Sequence, residues 1–414
     1  MKSNLCLDKF LIIFMVFTLY LDYFKPSALF LREFGAKPAI LVMSFAFLIK
    51  IFERSTKIKI FKIFIIPFLI FVCGFIGFLW CDYGGRDISG YVQNPDKQFI
   101  YQGFLFFASL IFPIGLSKLF NKDSKVFLLK LIPIILLINL SIYFLEYYQI
   151  IFDEVGFLLQ FRSGSGGQGR ASGLFSEPSY YGVYVGTFGT VLMIDQFYKK
   201  FIYKILGFIA IFSGYLAIAK IMYPIIIAMT LFIFLVNRNK KIFYIFLFLI
   251  SIFIYVAFTQ NALNLNINMS VANRIGSALL ALNALLDGNL SLFGVGFGQF
   301  HFYYIQLYAP EFLLKTSEAF IQFNPEFTNR ASTYNFYLRL LFEAGILGFI
   351  LYLVYIFNFI NFWLNDKSEI NLLGILLMIS ALTFYLTQDT YFYPPLVFAL
   401  SLLLSSKMNS EIYE

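Results

Sequence analysis

Residues 126–150 read VFLLKLIPIILLINLSIYFLEYYQI, with Lys130 and Glu146 the only charged side chains in the run. About twenty consecutive apolar residues are enough to cross the hydrocarbon core of a bilayer as a helix. Runs of this kind recur near 9–24, 37–53, 60–80, 99–119, 179–197, 201–219, 221–236, 242–259, 335–363, 370–387 and 393–406. The chain therefore reads as one polytopic domain over residues 1–414, an all-α integral membrane protein with about 12 transmembrane helices. The two spans that flank Lys220 are joined by a very short turn.

Composition points the same way. Of 414 residues, 60% are hydrophobic and 13% are charged, against roughly 25% charged in a soluble domain. A soluble fold of this length would leave large apolar patches in water. The abundance of Phe (56) and Tyr (28) accompanies abundant Ile, Lys and Asn, as in an AT-rich genome, so aromatic stripes carry no functional weight. The net charge of +8 is that of basic cytoplasmic loops, not of a nucleic-acid-binding surface. Cys6, Cys73 and Cys81 have neither metal-ligand spacing nor the pattern of a disulfide framework, and His301 is the single histidine. No metal site and no cofactor is expected. The N-terminal run at 10–20 follows Lys2 and Lys9 but is not followed by a small-residue cleavage site, and so reads as an uncleaved first span.

Lysine and arginine set the sidedness. With both termini in the cytoplasm, the inner side collects closely spaced lysines such as Lys57, Lys59, Lys62, Lys118, Lys122, Lys125, Lys199 and Lys200. The other side carries mostly arginines after residue 150, spread through two long polar loops at 153–178 and 260–334. Long loops of this size are functional or disordered. The second contains a helix signal, with Asn273 capping a run to 286 that ends at Asp287-Gly288. No internal repeat is present, unlike many transporters.

Chemistry-bearing residues gather in these loops. The first reads FRSGSGGQGRASGLFSEPSY over 161–180. Its glycines let backbone amides approach an anion, and Arg162 and Arg170 can grip phosphate oxygens bidentately. Glu177 stands before Pro178 at a helix start, where the dipole favours a carboxylate. The bland alternative is a solvated surface loop. Lys220, between two spans, marks either a function at membrane depth or a cation snorkelling from a turn. Arg274 stands at a helix start. Gly294-Val-Gly296-Phe-Gly298 does not follow a strand in a βαβ unit, so it forms a tight turn and not a dinucleotide site. Arg330, Tyr334-Asn335, Arg339 and Glu343 follow. Arg339 and Glu343 are four apart and can pair on one helix face. Together Arg162, Arg170, Lys220, Arg274, Arg330 and Arg339 make an outer basic surface suited to an anionic, lipid-linked diphosphate.

At these residues the sequence resembles the O-antigen polymerase and O-antigen ligase superfamily. Four blocks carry the likeness: Arg170-Ala-Ser-Gly173-Leu-Phe-Ser-Glu177-Pro178; Ala219-Lys220, where the family often has Ser-Arg; Arg274 followed by the 292–300 stretch LFGVGFGQF; and Tyr334-Asn335 through Glu343-Ala-Gly345-Ile-Leu-Gly348. The blocks keep their order over roughly residues 160–350. Ligases of the family usually have histidine where Tyr334 stands, which favours the polymerase side. Arg162 and Gly173 match an arginine-to-glycine spacing common in the polymerases.

The resemblance implies a GT-C-like helical bundle in the bacterial inner membrane, capped by one large periplasmic loop. It implies a glycosyltransferase that moves the growing glycan from undecaprenyl diphosphate to a new lipid-linked repeat unit, without nucleotide or metal. The partners implied are the lipid-linked donor and acceptor and a separate chain-length regulator. Arg170, Arg274 and Glu177 would be catalytic, and Arg162, Lys220, Asn335, Arg330 and Arg339 would bind substrate. The alternatives are a ligase to lipid A-core and a flippase for the same lipid-linked sugars.

Overall fold

The computed structural model describes residues 2–21, 38–51, 60–80, 94–148, 171, 173–175, 178–217, 219–237, 278–279, 281–283, 285–286, 291–300, 334–366 and 368–410. Among them there is no strand. Eleven α-helices have defined bounds: α1 Lys2–Thr18, α2 Pro38–Ile51, α3 Ile60–Leu79, α4 Pro95–Leu116, α5 Lys122–Tyr147, α6 Pro178–Met193, α7 Phe201–Leu216, α8 Met222–Asn237, α9 Phe336–Asn365, α10 Glu369–Phe384 and α11 Pro394–Ser410. Each coincides with one of the apolar runs. The run at 242–259 lies outside the described residues. Three helical stretches, Pro95–Leu119, Asp123–Tyr147 and Phe336–Leu364, are long and apolar enough to cross a membrane. In the region assigned to an Asn273-capped helix, the described residues between 278 and 286 are helical, with Ala281 and Leu285 buried four residues apart.

Boundaries differ from the hydropathy reading where a partner neutralises a charge. The first helix begins at Lys2 and not near residue 9, because Asp8 is buried against Lys50 of α2 at 2.6 Å. Hydropathy counts Asp8 as an interruption, and only the tertiary contact makes it tolerable. The Lys118 ammonium donates to the Lys50 carbonyl at 3.0 Å, which ties the end of α4 to the same corner. Two carboxylates that hydropathy placed within spans lie at helix ends instead. Glu146 is in the last turn of α5. Asp195 follows α6, is 90% exposed and pairs with Lys204 at 2.9 Å.

Lipid offers no hydrophobic drive between helices, so close backbone approach and buried hydroxyl bonds hold such bundles together. Both are present. On α6, Gly182 faces Ala219, Gly186 faces Met222, and Gly189 meets the Gly207 carbonyl of α7. Tyr181 and Ser213 share a hydrogen bond of 2.6 Å between α6 and α7, and Thr187 and Ser380 one of 2.5 Å between α6 and α10. The Tyr355 hydroxyl of α9 donates to Leu110 O of α4 at 2.6 Å.

Successive described helices alternate in direction except α8 and α9, which run the same way with Phe232 beside Trp363, and the helix ends gather at two ends of the bundle. One holds Asp8, Lys50 and Lys118. The other holds the starts of α4, α6 and α9, the α7–α8 turn and the α10–α11 link. We call the latter the Asn335 end.

The contact at Gly182 makes a test. A side chain there must displace Ala219 and the turn behind it, and overpacking of a tight contact costs about 1–3 kcal/mol. Gly182→Leu should lower the melting temperature in detergent well below that of Gly103→Ala, where the added methyl meets the movable Phe71 ring at 3.1 Å and Phe297 only at ordinary contact distance.

Candidate functional site

Helix α9 begins at the Asn335 end. The Asn335 side chain caps it by accepting from Leu338 N at 3.1 Å, and its amide donates to Leu386 O at 3.3 Å. Phe336 N donates to Tyr385 O and Gln388 O, and its ring stacks on Tyr385 at 4.1 Å. Just before the cap, Tyr334 adopts φ of 47°, a left-handed conformation uncommon for a bulky residue. Over the next two turns come Arg339 and Glu343, and then the helix breaks. Gly345 has φ 72° and ψ −176°.

A broken helix strands backbone groups that must find partners elsewhere. Residues 291–300 supply them. Val295 N donates to Phe342 O at 3.1 Å and Gly296 N to Glu343 O at 2.9 Å. In return Ile346 N donates to Ser291 O at 3.2 Å and Leu347 N to Leu292 O at 3.1 Å. Irregular backbone at membrane depth is tolerated only where protein encloses it in this way.

The Gly-x-Gly-x-Gly segment is indeed a turn, and each glycine faces a different helix. Gly294, Gly296 and Gly298 all have positive φ, which favours glycine. A Cβ on Gly294 would lie 2.5 Å from the Glu343 carbonyl, one on Gly296 would strike Phe78 of α3, and one on Gly298 would lie 2.9 Å from Gln98 O of α4. The intervening Val295 is buried and Phe297 points into the bundle. The Phe297 ring packs against Phe71, Phe99, Phe106 and Tyr391, in space left by Gly74 and Gly103. Gln299 Nε2 donates to Pro95 O at 3.0 Å.

At the centre of this dock lies Glu343, 0% exposed. Its Oε1 accepts from Phe300 N and Arg339 Nε, each at 3.2 Å. Its Oε2 accepts from Gly298 N at 2.7 Å and from the Tyr391 hydroxyl in a short bond. Arg339 Nη1 also donates to Asp389 O at 3.0 Å and to Asp389 Oδ2 at 3.3 Å, while the guanidinium lies 4.3 Å from the Tyr391 ring centre. A buried carboxylate is stable only when its oxygens are satisfied in this fashion. Burial and the Glu343 charge push the Tyr391 hydroxyl well above the usual phenol range, so it stays a neutral donor.

A second anchored segment precedes α6. Gly173, at φ 60°, donates its N–H to Glu146 Oε2 at 2.6 Å. Phe175 is buried between Tyr181 and Tyr184, and Ala171 is also buried. Lys220 sits half-buried in the turn between α7 and α8, where Tyr223 N donates to its carbonyl at 3.3 Å. Its neighbour Ala219 packs on Gly182 near the start of α6.

Of the residues singled out in the sequence, Lys220, Asn335 and Arg339 thus come to one end of the bundle. Arg162, Arg170, Glu177, Arg274 and Arg330 lie outside the described residues. The Arg339–Glu343 pair expected from spacing is present. Sequence reasoning missed Asp389 and Tyr391, which sit in a short link with no signal beyond a carboxylate opposite an outer arginine. It also missed the helix break, which the Gly345 position alone does not announce. Among the described residues no three His, Cys, Asp or Glu side chains gather to hold a metal ion. In comparison with known proteins, no family model, no curated protein and no solved structure matches the chain.

This network defines an all-helical bundle with a broken-helix dock at one end, and the dock can be tested. Removing one partner of a buried ion pair costs about 3–5 kcal/mol because the other is left charged and unpaired. Arg339→Ala and Glu343→Ala should each lose that much stability in detergent unfolding. Arg339→Met with Glu343→Leu should lose clearly less than the sum of the two alanine variants. Gly294→Ala should be as damaging as either, since both its φ and its neighbours forbid a Cβ.

Proposed function

We propose that this chain is a metal-independent polysaccharide polymerase of the bacterial inner membrane, acting on undecaprenyl-diphosphate-linked repeat units. The observation that carries the reading is the convergence of four separate segments, at 171–175, 219–220, 291–300 and 334–343, on the Asn335 end of the bundle. These are the stretches in which the resemblance to O-antigen polymerases and ligases resides. On this reading the Asn335 end is periplasmic, about a dozen spans cross the bilayer, both termini are cytoplasmic, and residues 260–334 form the large periplasmic loop. The Lys50 end, with Lys118 and Lys204, is then the cytoplasmic side, in keeping with the distribution of positive charge.

The chemistry follows from the substrate. A hydroxyl oxygen of the incoming lipid-linked unit attacks the anomeric carbon of the growing glycan. The bond from that carbon to the diphosphate oxygen breaks, and undecaprenyl diphosphate leaves with the electron pair. Glu177 takes the hydroxyl proton as general base. Arg170 and Arg274 stabilise charge developing on the leaving diphosphate, and Arg162, Lys220, Asn335, Arg330 and Arg339 hold the two substrates. The leaving group is already activated, so the reaction requires no nucleotide.

A flippase would line a path through the bundle with charge. Glu146 and Asp195 lie at helix ends, and the buried Glu343 is enclosed by its own donors at the Asn335 end, which favours chemistry at one face. A ligase remains the alternative within the same chemistry, with Tyr334 in place of the ligase histidine weighing against it.

Surface polysaccharide from a deletion strain, run on a gel beside the complemented strain, separates the three. Single-unit lipopolysaccharide with the ladder lost is the expected result. Loss of even the single unit from lipid A-core would mean a ligase, and units trapped inside would mean a flippase. Complementation with Arg170→Ala, Arg274→Ala or Glu177→Gln should fail to restore the ladder at normal membrane levels of protein. An unchanged ladder would overturn those assignments.

A further inference from the structure

Glu146 stands where helix electrostatics disfavour it. It occupies the last turn of α5, at the negative end of the helix dipole. A lysine there would be stabilised, and a carboxylate is repelled. The contact already described works against the repulsion, since Oε2 accepts the Gly173 N–H at 2.6 Å. A carboxylate accepting a backbone N–H makes a charge-assisted bond, stronger than one between neutral groups. Gly173 can present its N–H this way because its φ of 60° turns the backbone toward α5, where a Cβ would make only ordinary contact with Tyr143 and the Asn139 carbonyl.

The same short segment has a second hold. Phe175 fills a slot between Tyr181 and Tyr184. Tyr181 stacks on Tyr143 at 4.5 Å, and the Tyr184 hydroxyl accepts from Asn139 at 3.1 Å. Asn139, Tyr143 and Glu146 follow one another along one face of α5 at helical spacing. The α5 face thus acts as a rail. Phe175 sets how deep the segment sits, and Glu146 sets how its backbone is turned. Arg170 and Glu177, which flank this pinned stretch in sequence, are the segment's two ionic residues.

We propose that Glu146 is a positioning residue. It anchors the Gly173 amide and so sets the arginine-bearing segment in the attitude that binds the lipid-linked diphosphate. The role in substrate binding rests on the polymerase reading above, whereas the anchor itself does not.

The test has two arms on the full-length protein in detergent or nanodiscs. The first is hydrogen exchange of the peptide covering 171–175. Glu146→Leu removes the acceptor and should speed exchange of the Gly173 amide at least about tenfold, as loss of a hydrogen bond to a charged group does. Glu146→Gln keeps an acceptor oxygen without the charge and should fall between wild type and Glu146→Leu. The second arm is polymerisation of a synthetic undecaprenyl-diphosphate-linked repeat unit. Glu146→Leu should raise KM for that substrate by about tenfold with kcat changed far less, a split that simple destabilisation does not produce. Gly173→Ala attacks the same anchor from the segment side and should shift both readouts in the same direction, which guards against misfolding of the Glu146 variant. Leu145→Ala, on the outward face of α5, should change neither.

Unchanged exchange in Glu146→Leu would overturn the anchor. Faster exchange with unchanged KM would overturn the positioning role, and so would a Glu146→Gln variant as impaired as Glu146→Leu. If wild-type protein makes no polymer at all, the polymerase reading falls and the positioning role with it. The exchange arm would still decide whether Glu146 holds Gly173.

Discussion

The broken-helix dock at the Asn335 end depends on one buried negative charge. The Glu343 carboxylate has no access to solvent, and four donors converge on it from three separate parts of the chain. Because it accepts from Gly298 and Phe300, the 291–300 loop must lie across α9. Because it accepts from Tyr391, the α10–α11 link must fold in beside them. Arg339 completes the balance and passes the constraint on to Asp389. A single acceptor of this kind converts three loosely related segments into one unit, since any of them leaving would strand a buried charge.

The break in α9 and the glycine loop answer one another. An intact helix at 342–347 would have no carbonyls or amides to offer, and the loop would have nothing to pair with. Gly345 opens the helix, and Gly294 is the residue small enough to lie against the opening. Gly296 and Gly298 then allow the same loop to press on α3 and α4. Three glycines at alternate positions are therefore a packing device between three helices, with Phe297 driven into the bundle as the wedge.

The rest of the bundle uses the devices that membranes impose. Close backbone approach along Gly182, Gly186 and Gly189 draws α6 onto α7 and α8, and tyrosine, threonine and serine hydroxyls link helices where an aliphatic side chain would only fill space. The tyrosines discounted as a compositional accident turn out to carry much of this. Tyr143, Tyr181 and Tyr184 build the slot for Phe175, and Tyr391 supplies both a hydrogen bond and a ring face to the central ion pair. Compositional bias explains why tyrosine is frequent, but not why these particular ones are buried.

Much of this was legible in one dimension because it depends on local quantities. Hydropathy over twenty residues is a property of the run itself, and so each described helix falls where an apolar run lies. The Arg339–Glu343 pair follows from four-residue spacing, and the refusal of Gly-x-Gly-x-Gly to be a nucleotide loop follows from its lack of a preceding strand. What escaped the sequence were contacts between residues far apart along it. Asp8 reads as the edge of a span until Lys50 is seen beside it. Glu146 reads as a charge within a span until Gly173 is seen to bind it. Glu343 reads as one half of an ion pair until the loop amides and Tyr391 arrive. The sequence by itself determined that the chain is a helical bundle suited to lipid, because burial of apolar length is additive along a chain. Only the tertiary structure decided which charges are affordable inside it, because that depends on the donors and acceptors that folding brings within three ångströms.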